Sequence, residues 1–214
     1  MTPNIKTYVF DFDGTLVNSV PTFASTTINI LEENNIPYPE DIVKTITPLG
    51  LEGTALYFIN ELGLNLPKEY LMEEIIERMR EEYHNKIPFK NNVDSTLKEL
   101  KRKGISLNIL TASPHTTLDA CLKRLGAFEI FDNVWSCDDF GTTKADRNLY
   151  LRVAEKLGKK PHEILFLDDN INSNKTASKA GMLTCGVYDE ASEDIIEEMK
   201  KATDFYIYDF SELL

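Results

Sequence analysis

The segment Tyr8-Val9-Phe10-Asp11-Phe12-Asp13-Gly14-Thr15-Leu16 places two carboxylates two residues apart at the end of an apolar run, with a glycine directly after them. A strand over 7–10 that is buried on both faces tolerates charge only where it leaves the sheet. Asp11 and Asp13 therefore belong at its carboxyl end, the edge at which open α/β sheets bind ligands. Gly14 permits a sharp turn and lets backbone N–H groups approach a ligand closely. The chemistry suited to this arrangement is aspartate-based phosphoryl transfer, with one carboxylate attacking and the other moving a proton. Asp-x-Asp-Gly also suits a surface turn or the first part of a calcium loop. The calcium reading fails because Thr15, Val17 and Ser19 occupy the alternate positions, and Thr22 stands where such a loop carries its last glutamate.

Further polar residues fall at comparable places: Thr111 after Leu110, the pair Asp168-Asp169 after Leu167, and Lys144 in the loop Gly141-Thr142-Thr143-Lys144. Each has an ordinary explanation by itself. Thr111-Ala112-Ser113-Pro114 makes a good helix N-cap, Lys144 a solvated lysine, and Asp168-Asp169-Asn170 a cap for the helix that follows. Their common position at one edge of a parallel sheet is what those explanations leave unaccounted for.

The elements that would bring them together follow from the hydrophobic pattern. Strands are expected over 105–111, 133–136, 164–168, 183–187 and 205–207. They alternate with helices over 93–103, 115–125, 147–157, 173–180 and 193–201. Such alternation implies an α/β fold with a doubly wound parallel sheet. From about Val17 to Ile87 the pattern is helical instead. Val20, Ala24, Thr27, Ile28 and Leu31 share one face, and Leu71, Met72, Ile75, Ile76, Met79 and Tyr83 another, while Pro37, Pro39, Pro48 and Pro67 divide the segment into about four helices. The expected organisation is an α/β core from 1–17 and 89–214, with a helical bundle over 18–88 inserted after the first strand. This bundle is expected to hang over the carboxyl edge of the sheet as a cap, with hinges at 17–19 and 87–89.

Composition narrows the partners. The 214 residues carry a formal charge of −12 with no basic stripe, which argues against a nucleic-acid polymer. No apolar run approaches the roughly 18 residues of a membrane span, and no basic-then-apolar leader opens the chain. Cys121, Cys137 and Cys185 are odd in number and widely spaced, as befits reduced thiols. A cytoplasmic protein without a membrane partner, acting as a monomer or weak homo-oligomer, is expected.

Taken in order, the motifs resemble the haloacid dehalogenase superfamily, in its phosphatase branch with a helical C1-type cap, similar to phosphoglycolate phosphatase and β-phosphoglucomutase. The resemblance covers essentially the whole chain. Asp11 to Leu16 match the first motif, Ile109-Leu110-Thr111-Ala112-Ser113 the second, Lys144 the third and Leu167-Asp168-Asp169 the fourth. It implies a phosphomonoester hydrolase acting on a small phosphorylated metabolite. Asp11 would form an aspartyl-phosphate and Asp13 would act as general acid and base. Thr111, the amide of Ala112 and Lys144 would hold the phosphoryl oxygens. Mg²⁺ would be held by Asp11, the backbone carbonyl of Asp13 and Asp169, with Asp168 touching it directly or through water. Asn18, Phe23, Gly50 and Glu52 are the candidates for substrate selection, and His115 lies just past Thr111.

The chain departs from the family pattern at several points. Asp168 stands where many relatives have glycine, Ser173 where they have a further aspartate, Asn18 where aspartate is frequent, and Ala145 where proline is frequent. A phosphosugar mutase is the rival reading, but Phe23 takes the place of its histidine and the 49–53 loop offers no cation. A dehalogenase would lack Asp13, and a phosphonatase would need a cap lysine where only Lys44 is near. A non-catalytic module of the same fold would be expected to have lost part of the set Asp11, Asp13, Thr111, Lys144 and Asp169.

Overall fold

The computed structural model describes residues 5–214; residues 1–4, the start of the expected first core segment, lie outside them. These residues form two compact units. One comprises residues 5–18 with Pro88–Leu214, and the other is Ser19–Ile87.

The first unit is built on a six-stranded parallel sheet. Its strands are β1 (Thr7–Phe10), β2 (Ser106–Thr111), β3 (Asn133–Ser136), β4 (Ile164–Asp168), β5 (Leu183–Val187) and β6 (Phe205–Ile207), in the spatial order β3-β2-β1-β4-β5-β6. All residues of β1 and β4 are buried, as expected of apolar strands covered by helices on both faces. From β1 the chain winds outward through β2 to β3, then returns to lay β4 on the other side of β1. That reversal is the topological switch point, where adjacent strand ends splay and leave a crevice. Phe10 pairs in register with Leu167, so the residues that follow β1 and close β4 emerge side by side.

The core gathers around aromatic side chains. Phe10 stacks on Phe210 with centroids 6.1 Å apart, and Tyr150 meets the Phe166 ring edge-on at 5.2 Å. Such pairs add a geometric preference to large apolar burial. The connecting helices bury one stripe each, as the helix Val93–Arg102 does with Val93, Thr96, Leu97 and Leu100. Helix boundaries differ from expectation where side chains cap backbone. The Asn170 side chain accepts from the N–H groups of Asn172 and Ser173, so the helix after β4 begins at Ile171 rather than Ser173. Asp189 likewise caps Ala191. The expected helix over 193–201 becomes a 3-10 segment, Glu190–Ile195, followed by an α-helix, Ile196–Ala202.

The second unit is helical: Val20–Glu33, Ile42–Ile46, Gly50–Asn60 and Lys68–Asn85. The last of these buries Leu71, Ile75, Met79 and Tyr83 at a strict spacing of four. Ile76, expected on the same face, is 48% exposed, since one residue turns a helix by about 100° and carries its side chain out of so narrow a stripe. Arg78 ties the first and last helices through bonds of 2.8 and 2.6 Å to Glu33, and is braced within its own helix by one of 2.8 Å to Glu74.

Phe166 is fully buried in a central strand. Phe166→Ala is expected to lower unfolding free energy by about 3–5 kcal/mol in urea denaturation, the usual cost of emptying such a site.

Candidate active site

The β1–β4 register sets the geometry. The Asp11 N–H donates to the Leu167 carbonyl at 2.8 Å, holding the first carboxylate at the strand's end beside Asp168 and Asp169. The Asp168 carbonyl is fixed from behind by the Asn174 side chain at 2.8 Å. One carboxylate oxygen from each of Asp11, Asp168 and Asp169 lies within 4.8 Å of the other two.

Gly14 explains how the loop after β1 reaches this cluster. Its φ is +72°, and a Cβ there would lie 2.5 Å from Asp169 Oδ2, so only glycine allows the approach. Thr15 completes the contact, since its hydroxyl donates to Asp169 Oδ1 at 2.8 Å and accepts from the Asp169 N–H at 3.0 Å.

Lys144 supplies the counter-charge. Its ammonium pairs with Asp11 Oδ1 and with Asp168 Oδ2, the latter at 2.8 Å, and its side chain is almost wholly covered. The loop that carries it is held by Tyr150, whose hydroxyl lies 3.1 Å from the Lys144 carbonyl and 3.2 Å from that of Ser173. Asp168 is fully committed: its other oxygen accepts from the Asn170 N–H at 2.7 Å. Asp13 stands slightly apart, accepting from the Ser113 hydroxyl at 2.5 Å, while Ser113 N–H donates to Thr111 Oγ1 at 3.0 Å. The second motif thus meets the first through Ser113. Ala112 is exposed between Ser113 and the buried Thr111.

The electrostatics follow from this crowding. Removal from water, opposed by Lys144 and reinforced by Asp168, Asp169 and Asp13, raises the Asp11 carboxyl well above the usual range. The same desolvation, with the charges of Asp168 and Asp189, pushes Asp169 up to about 7, against the Thr15 hydrogen bond and Lys90. Burial works against the charge of Lys144, but Asp11 and Asp168 overcome it and hold the lysine protonated. Three close oxygen ligands in negative excess, with a glycine cradle beside them, fit a hard divalent cation.

Other expected residues have different surroundings. Both ring nitrogens of His115 are taken by carboxylates, Asp119 at 2.8 Å and Asp139 at 2.9 Å, and these bonds raise its pKa. Asn18 is exposed at the end of its segment, its N–H bonded to the Pro88 carbonyl at 2.9 Å. Phe23, Gly50 and Glu52 belong to the helical unit, where Glu52 is paired with Lys68 at 2.9 Å. Sequence reasoning gave no role to Thr15, Ser113, Tyr150 or Lys90. The first two lie inside the quoted motifs and could have been assigned from them, whereas Tyr150 and Lys90 carry no local signal.

Comparison with known proteins agrees with this architecture. The family model described as haloacid dehalogenase-like hydrolase matches residues 8–187. A phosphoglycolate phosphatase of Mannheimia succiniciproducens is 30% identical over 195 residues, 87% of each chain. Pyrophosphatase PpaX of Bacillus cereus is 29% identical over 189 residues, 86% of this chain and 83% of its own. A solved structure described as a predicted phosphoglycolate phosphatase from Haemophilus somnus superposes with a TM-score of 0.83. It is 22% identical and covers 100% of this chain and 97% of its own.

Two outcomes follow. The folded chain retains a proton on Asp169 between the ordinary carboxylate range and about 7, so the metal-free protein loses stability as pH rises through that window. His115 acts in the same direction, because its stabilising charge is lost as pH rises through its raised pKa. The melting temperature of chelator-treated protein is therefore expected to fall from about pH 5 to about pH 8, and Asp169→Asn to flatten that slope; an unchanged slope in the variant would assign it elsewhere. Gly14→Ala, which forces a side chain into a left-handed conformation at a cost of about 1–2 kcal/mol and against Asp169, is expected to lower the melting temperature of the chelator-treated protein while leaving a cooperative transition in thermal denaturation.

Proposed function

Because the chain belongs to the haloacid dehalogenase-like hydrolase family and is a phosphatase of that family, we propose that it hydrolyses a small phosphomonoester with Mg²⁺ through an aspartyl-phosphate on Asp11. The observation that carries this reading is the single lysine, Lys144, bonded to both Asp11 and Asp168 at the sheet's switch point.

Lys144 occupies one oxygen of Asp11 and leaves the other to attack phosphorus, forming the P–O bond to the carboxylate as the bond to the alcohol oxygen breaks. Asp13, oriented by Ser113, gives its proton to the departing alkoxide. It then takes a proton from the water that displaces Asp11 from phosphorus, releasing inorganic phosphate and restoring both carboxyl groups. Thr111, the Ala112 amide and Lys144 are assigned to the phosphoryl oxygens. Asp11, the backbone carbonyl of Asp13 and Asp169 would hold the cation, which supplies charge neutralisation for attack by an anion on an anion. Asp168, with both oxygens engaged by protein, acts first as the anchor of Lys144.

The substrate is assigned to the class of small phosphorylated metabolites. Relatives are named for phosphoglycolate and pyrophosphate, and selection is attributed here to Asn18, Phe23, Gly50 and Glu52. Glu52 disfavours a further carboxylate on the leaving group, although Lys68 offsets part of its charge. The protein is proposed to act in the cytoplasm as a monomer or weak homo-oligomer. Among the described residues no helix is long and apolar enough to cross a membrane.

The test is phosphate release from a panel of sugar phosphates, nucleotides, phosphoglycolate and pyrophosphate. Activity is expected to vanish in excess chelator and in Asp11→Asn, and to fall about 10²–10⁴-fold in kcat for Asp13→Asn. Full turnover in chelator would overturn the reading, and production of an isomeric phosphate ester without net phosphate release would favour a mutase.

A further inference from the structure

Lys90 lies outside every motif, yet its ammonium touches the loop that carries Asp13. We propose that Lys90 is a positioning residue that fixes the Gly14–Thr15 peptide, and through Thr15 the carboxylate of Asp169, in the geometry that binds the cation. This inference rests on the reading of Asp11 and Asp169 as cation ligands given above.

The side chain of Lys90 is 17% exposed, and three oxygens surround its ammonium: the Gly14 carbonyl at 2.7 Å, the Tyr188 carbonyl at 2.5 Å and Asp189 Oδ2 at 2.9 Å. It therefore joins the loop after β1 to the segment after β5, across the end of β4. Its own backbone is fixed too, with the Lys90 N–H donating to the Leu16 carbonyl at 2.9 Å and Phe89 bridging Val17 in antiparallel fashion. The Gly14 carbonyl belongs to the peptide that begins Thr15, whose hydroxyl makes both bonds to Asp169. Gly14 Cα already packs so closely on Asp169 that no Cβ fits between them, so rotation of this peptide moves directly against the ligand carboxylate.

Asp189, itself buried, balances the lysine and caps the Ala191 N–H at 3.0 Å. A buried ion pair gains little net stability over apolar groups of similar volume. The contribution assigned to Lys90 is accordingly geometric, the role of residues that orient metal ligands from behind. The two lysines divide the work: Lys144 neutralises the nucleophile, and Lys90 holds the turn that brings Thr15 to Asp169.

The experiment compares full-length wild type, Lys90→Met and the double variant Lys90→Met/Asp189→Asn. Two quantities are read, the Mg²⁺ concentration giving half the maximal rise in melting temperature, and kcat and KM for the best ester. The single variant leaves Asp189 buried and unpaired and is expected to melt lower. The double variant removes one charge of each sign, so its net charge equals that of wild type and the opposing effects of the two charges on Asp169 are removed together. It is expected to melt cooperatively, to need roughly 10–100-fold more Mg²⁺, and to lose kcat about tenfold with KM changed less than about threefold. A double variant that binds Mg²⁺ at wild-type concentrations and turns over at the wild-type rate would overturn the proposal. Wild-type protein with neither an Mg²⁺-induced melting shift nor chelator-sensitive turnover would overturn the site reading itself, and the role of Lys90 with it.

Discussion

Carboxylates that repel one another at the end of a buried sheet are the constraint on which the rest of this structure turns. Asp11, Asp168 and Asp169 are held within a few ångströms by a strand register that leaves them no freedom to separate. Like charges so close, and partly removed from water, shift their protonation or find a cation. Lys144 meets part of that demand through two carboxylates at once, and burial makes each of those bonds electrostatically stronger than it would be in water. The surrounding polar residues can be understood as supports for this one arrangement. Tyr150 holds the lysine's loop, Asn174 the Asp168 carbonyl, Thr15 the Asp169 carboxylate and Ser113 the Asp13 carboxylate.

The arrangement depends on topology before it depends on any side chain. A parallel sheet that winds outward and then returns leaves one gap between neighbouring strand ends, and the cluster of Asp11, Lys144, Asp168 and Asp169 sits there. Apolar strands such as β1 and β4 must be covered on both faces, so charged groups are placed at their ends or beyond them. Hydrophobic burial and charge placement thus select the same point in the fold.

Much of this was legible in the sequence. Apolar runs that end in Asp11, Thr111 and Asp168 marked the strands and the polar groups at their ends, and the alternation of periods revealed a parallel sheet. Those three polar positions were recognisable because each interrupts a hydrophobic pattern. Ile76 misled because helical spacing tolerates residues on the margin of a stripe, and only packing decides which of two adjacent isoleucines is covered. The helix start at Ile171, and the 3-10 start at Glu190, depended on which side chain caps the backbone, a choice made by geometry a few ångströms wide. Tyr150 and Lys90 were illegible for a deeper reason. Each acts on backbone carbonyls distant in sequence, and a side chain that binds a distant carbonyl leaves no periodicity behind.

The bond from the Asn18 N–H to the Pro88 carbonyl closes an excursion of 69 residues, Ser19–Ile87, at the point where it began. For a loop whose ends are tied, the entropic cost grows only with the logarithm of its length, so doubling the excursion adds about 0.6 kcal/mol. The sheet is therefore almost indifferent to what is threaded between these two residues. In evolutionary terms, the helical segment can be lengthened, shortened or exchanged with little thermodynamic consequence for the strands that carry the aspartates.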